Sequence, residues 1–131
     1  MKKFLTALFA IFLLSASLAH AEIKTYEGSG EYLLTDENID FAKSRAEISA
    51  ERNILEKVCV YIKAQSTTID NELDNDEVIS ICAGILRVTD TKFKIVDDAE
   101  GILITAVVTA QVDIDELETL LNRAIAERLK K

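Results

Sequence analysis

The sequence predicts an α+β fold: a mostly antiparallel four-stranded sheet with helices packed on it, in the order β-α-β-α-β-β-α. Three observations carry this. Strict apolar alternation runs from Ile102 to Val112, as a half-buried strand requires. A long stretch after Asn38 repeats its apolar residues in steps of three and four, the period of an amphipathic helix. Short polar clusters separate these runs, and 49% of the 131 residues are hydrophobic, enough for a core.

The first 21 residues stand apart from that pattern. Met1-Lys2-Lys3 is basic, Phe4–Leu14 is apolar except for Thr6, and Ala19-His20-Ala21 is a small-x-small site. This reads as a secretory signal peptide (1–21) cleaved between Ala21 and Glu22. The apolar run is shorter than the roughly 18 residues an uncleaved anchor needs, and Glu22 stands where a lipid-anchored protein has cysteine. The expected product is one α+β domain, 22–131, periplasmic or secreted and without stable membrane insertion. Lys2 and Lys3 leave with the leader, so the formal charge of −8 becomes −10 over 110 residues. His20 and Met1 leave too, and the product has no His, Met, Trp or Pro.

The elements follow in order. Glu22–Leu34 reads as a first strand with Tyr26, Gly28, Gly30, Tyr32 and Leu34 on one side, and glycines there mark close approach by another backbone. Thr35–Asn38 supplies helix-capping residues. Ile39, Ala42, Ala46, Ala50, Ile54 and Val58 then form one stripe, flanked by Phe41, Ile48, Leu55 and Ile62, and the alanines let this helix sit close over Gly28 and Gly30. Val60–Ile69 is β-branched and aromatic enough to predict a second strand. Asp70–Glu77 reads as a polar connection ending in a D-x-x-E capping pattern. A short helix follows with Val78, Ile81, Cys82 and Ile85 on one side. Leu86–Asp97 is a third strand whose alternation slips between Val88 and Phe93, predicting a bulge. A turn at Asp98–Gly101 leads to the fourth strand, and Asp113–Glu116 caps a final helix with a stripe of Leu117, Leu120, Leu121, Ala124, Ile125 and Leu129.

Composition excludes several chemistries. Without histidine, neither a Ser-His-Asp nor a Cys-His arrangement forms, nor any zinc site that needs imidazole. A charge of −10 opposes nucleic acid, whose binding rests on Lys and Arg neutralising phosphate, and opposes docking on anionic lipid. Gly28-Ser29-Gly30 is half a dinucleotide fingerprint, but Leu33 occupies the third glycine position and the glycines lie inside a strand. The acidic run Asp70, Glu72, Asp74, Asp76, Glu77 fails as a calcium loop from Asp70, because Asn75 and Ile81 replace the required Gly and Glu. No nucleophile–base pair can be named, so no catalytic residue, metal or cofactor is expected. Cys59 and Cys82 are the only cysteines: in an oxidising compartment they are disulfide candidates, the alternative being two buried thiols.

The whole carries a resemblance. Gly28, Gly30 and Tyr32 precede an Ala-spaced helix (Ala42, Ala46, Ala50), followed by Val60–Ile62, Leu73–Glu77, Ala83–Leu86 and a hairpin ending at Ile104–Asp113. Over Thr25–Leu117 this resembles the small bacterial envelope domains typified by the N-terminal domain of flagellar assembly protein T and its small outer-membrane lipoprotein relatives. Glu22 departs from the acylated cysteine of the lipoproteins, and no flagellar role is carried over. The resemblance implies an α+β domain in the envelope that works by protein contact. The expected function is a non-enzymatic structural or protein-interaction module whose partner is another envelope protein or a second copy, met through a sheet edge or the final helix. The alternative is a small-ligand or cation-binding protein using the space between sheet and long helix, or the acidic run.

Overall fold

The computed structural model describes residues 22–36 and 38–130. The expected leader, with Ala21 of its cleavage site, lies outside them. The elements are β1 (Ile23–Leu34), α1 (Ile39–Gln65), α2 (Thr67–Glu72), α3 (Asn75–Ala83), β2 (Arg87–Asp98), β3 (Gly101–Asp113) and α4 (Ile114–Leu129). The α+β class stands, but the strand count does not. Among the described residues the sheet has three strands, in the order β1-β3-β2 and antiparallel throughout, with four helices.

The strand expected over Val60–Ile69 is helix instead. Ala42, Ala46, Ala50, Ile54, Val58 and Ile62 are all buried in one stripe at spacing four, so the helical face continues through the β-branched segment. Burying Ile62 in register outweighs the strand preference of Val60, Tyr61 and Ile62, which is a weak and context-dependent term. Ser66 then ends α1 and caps α2, its hydroxyl accepting from the Ile69 amide at 3.3 Å. The expected polar connection is also largely ordered. Asp70 and Glu72 lie in α2, Leu73 is buried, and Asp74 opens α3 with a reciprocal capping box to Glu77.

The bounds of the remaining elements follow the sequence reading, although α3 buries Ile79 where the sequence predicts Ile81, and Phe41 and Ile48 of the flanking stripe of α1 are exposed. Asn38 caps α1 by accepting from the Phe41 amide at 2.8 Å, and Asp113 caps α4 by accepting from the Glu116 amide at 3.1 Å. β2 is bulged between Val88 and Asp90. The inner face of β3, Ile104, Ala106, Val108, Ala110 and Val112, is wholly buried. α1 crosses it and β1 diagonally at close range. A Cβ built on Gly28 would stand 2.5 Å from the Ala50 carbonyl oxygen, and one on Gly30 would stand 2.5 Å from that of Ala46. Only glycine lets the two backbones meet at this distance. α4, packed against α2 and α3, closes the core with Ile114, Leu117, Leu121 and Ile125, and α3 adds Val78, Ile79 and Cys82. Each fully buried Ile or Leu contributes about 1.5–3 kcal/mol of transfer free energy.

Candidate functional site

The two edges of the sheet are finished differently. On β1, the Ser29 amide donates to Asn53 Oδ1 at 3.3 Å, and Lys57 Nζ donates to the Glu27 carbonyl oxygen at 2.6 Å. Two side chains of α1 thus cap the middle of that edge. The Ser29 amide and Glu27 carbonyl therefore point away from β3. Hydrogen-bonded and non-bonded pairs alternate in an antiparallel ladder, so across the sheet the polar backbone groups of Thr91, Phe93 and Ile95 point outward from β2.

β2 is also covered only in part on its inner face. Val88, Phe93 and Ile95 are paired directly with Ala110, Ala106 and Ile104, which are buried to the last atom. Yet Val88, Phe93 and Ile95 are 43%, 36% and 47% exposed. The cause is the placement of α1, which lies over β1 and β3 and meets β2 only with its rim. Lys43 stands on that rim, and Glu47 and Glu51 follow it at spacing four along the helix. Lys43 Nζ lies 5.2 Å from the centre of the Phe93 ring, a cation–π distance. Partial burial, and then the neighbouring Glu47, push the Glu51 carboxyl above its ordinary value. The outer face of the sheet is open as well: Thr25, Glu27, Ser29, Glu31, Lys92 and Lys94 are all exposed.

The residues singled out by sequence are placed as follows. Cys59 and Cys82 are both buried free thiols, on α1 and α3 respectively. Cys59 Sγ lies 3.8 Å from Asn75 Oδ1 and borders a cleft of about 400 Å³ between α1, α2 and α3, with Lys63, Asp70 and Ile79 around it. Burial, and then adjacent Cys59, push the Cys82 thiol up to about 11. Burial also raises Cys59, with Lys63 opposing it. Tyr26 has a buried hydroxyl without a hydrogen-bond partner among the described residues; burial, and then Tyr61, raise its pKa.

Glu22, the expected first residue after cleavage, is tied to the start of α4. Its carbonyl accepts from the Ile114 amide at 2.8 Å, and its amide donates to Asp115 Oδ2 at 3.0 Å. The acidic run is spent on structure: Asp70 pairs with Lys63, Asp76 with Arg52, and Glu77 with Arg128. Among the described residues no three His, Cys, Asp or Glu side chains converge as a metal site requires. The space between α1 and the sheet is filled by the glycine–alanine contact. The stripe of α4 faces the core through Leu117, Leu121 and Ile125, with only Leu129 fully outside.

No family model and no curated protein matches the chain. No helix among the described residues is long and apolar enough to cross a membrane. The overhang of β2 was not legible in the sequence. Phe93 and Ile95 alternate with Lys92 and Lys94 as any half-buried strand does, and nothing in that pattern says which strands a helix covers.

Proposed function

We propose that the protein is an exported contact module of the bacterial envelope, non-enzymatic, that docks another protein on its sheet. The supporting observation is the state of β2: an edge strand with outward-pointing backbone groups and an apolar inner row that the helix covers only in part. Strand addition to such an edge gives affinity through main-chain hydrogen bonds and specificity through alternate side-chain positions. The resemblance to the envelope domains typified by the N-terminal domain of flagellar assembly protein T points the same way. The buried stripe of α4 turns the reading away from the final helix and toward the sheet edge.

The test is site-specific photocrosslinking in the intact envelope. A crosslinker at Ile95 or Lys94 is expected to give one defined adduct, and a crosslinker at Ser44 or Ile48, exposed on α1 opposite its buried alanine stripe, is expected to give none. Adducts of equal yield from both positions, or from neither, would overturn the reading. A thermal-shift screen addresses ligand binding independently: a contact module keeps its melting temperature with divalent cations and common metabolites, whereas a saturable rise would mark a ligand-binding protein.

A further inference from the structure

We infer that the partner of β2 is a second copy of this chain, paired antiparallel through β2 itself about a two-fold axis at Thr91. The inference rests on the contact-module reading and names the surface and the occupant. The axis must stand perpendicular to the sheet, because only that operation keeps the inner face of one copy continuous with that of the other. It therefore sets residues of like face opposite each other as far as the bulge between Val88 and Asp90.

Charge favours the axis at Thr91 over the three that follow it along β2. β2 carries Asp90, Lys92 and Lys94 on its outer face, all clear of the core. An axis at Lys92 or Lys94 would oppose that lysine with its own copy, and an axis at Phe93 would oppose Lys92 with Lys94. Like charges directly opposite destabilise a strand pair. An axis at Thr91 instead sets Asp90 of each copy opposite Lys92 of the other, twice over. Within one chain these two side chains already lie 3.9 Å apart, so both point to the same face and need little movement to exchange partners. On the inner face, the same register sets Phe93 of each copy opposite Thr89 of the other, with Val88 next to it, and the bulge between Val88 and Asp90 ends the regular pairing there. The apolar overhangs merge between the two α1 rims, forming one six-stranded sheet.

The edge chemistry agrees. Thr91 and Phe93 are among the residues whose backbone groups point outward, so the central hydrogen bonds of such a pair have their donors and acceptors in place. β1 cannot serve the same role, because Asn53 and Lys57 already occupy its edge. The pairing is thus closed: it makes a dimer and leaves a protected strand at each end.

The test is molecular mass in solution by sedimentation and light scattering over a wide dilution series. The wild-type protein is expected to read twice the protomer mass, falling to one at high dilution. Asp90→Lys opposes lysine with lysine twice, and Lys92→Asp opposes aspartate with aspartate twice, so each variant alone is expected to read one protomer mass. Mixing the two variants, or combining both changes in one chain, restores both pairs and is expected to recover the double mass. That recovery shows that each variant is folded. Thr91→Pro, which removes an outward N–H and no bond to β3, is expected to read one protomer mass with an unchanged circular dichroism spectrum. A wild-type protein that stays at one protomer mass at every concentration would overturn the self-pairing while leaving the crosslinking test of the contact module untouched. A dimer that survives either single charge reversal, or single variants that fail to recover on mixing, would overturn it as well.

Discussion

The Glu22 amide donates to Asp115 Oδ2 at 3.0 Å, joining the chain just ahead of β1 to the first turn of α4. If export cleaves before Glu22, this nitrogen becomes the terminal ammonium and the hydrogen bond becomes an ion pair. Asp115 also lies at a helix N-terminus, where a negative side chain is favourable. We predict that Asp115→Asn lowers stability by about 0.2–1 kcal/mol in the processed protein. The loss should shrink in a protein carrying one extra residue before Glu22. Paired denaturation curves of the two forms check this, and equal losses would refute it.

Gly30→Ala is expected to destabilise by about 1–3 kcal/mol, the usual penalty for overpacking, because the added methyl would press on backbone atoms of α1. Gly84→Ala is the control. Gly84 has φ −70° and its added Cβ would meet only the Ile81 carbonyl oxygen, at 3.4 Å, so a change within about 0.5 kcal/mol is expected. Urea midpoints of the two variants should differ clearly.

Asp74→Ala removes the capping box of α3, in which the Asp74 carboxylate accepts from the Glu77 amide at 2.8 Å. A loss of about 1 kcal/mol is expected. Asp74→Ser keeps an acceptor at the same position and should recover most of it. Chemical denaturation of both variants reads the difference.

In the reduced protein, stability should decline at high pH. The Cys82 thiol ionises at about 11 when folded and at its ordinary 9.0 when unfolded. Its contribution is therefore complete below about 9 and is lost as pH rises toward 11. Tyr26 and Cys59 are also raised and act in the same direction. Cys82→Ala should flatten the part of the decline between 9 and 11. Urea titrations across this range, run under reductant, provide the measurement.

Oxidation should change that baseline. Cys59 and Cys82 belong to one core cluster, and a disulfide donor that joins them would close the loop through α2 and stabilise the fold by about 3 kcal/mol. Intact mass after denaturing alkylation distinguishes the forms, since the bridged protein takes up no label. Two labelled thiols in protein recovered from an oxidising compartment would refute the bridge.

Gly28, Gly30 and the alanines of α1 were legible together, because two backbones can meet closely only where both lack bulk. The caps at Asn38, Asp74 and Asp113 were legible because short polar side chains have one local use there. Val60–Ile69 was misleading for a physical reason. Strand propensity is a local quantity, whereas the continuation of α1 is decided by Ile62 reaching the core four residues after Val58. The bare edge was hidden for a related reason. Strand order and helix placement are relations between distant segments, and Val88, Phe93 and Ile95 keep the same alternation whether covered or not.

The glycine contact on β1 also determines what happens on the opposite strand. Because Gly28 and Gly30 admit α1 so deeply, the helix settles off-centre, and only its rim reaches β2. The availability of one edge is thus set from the other, by two residues that no partner would ever touch. Enlarging them would displace the roof of the sheet sideways, so a change far from the free strand would alter how much of it a partner meets.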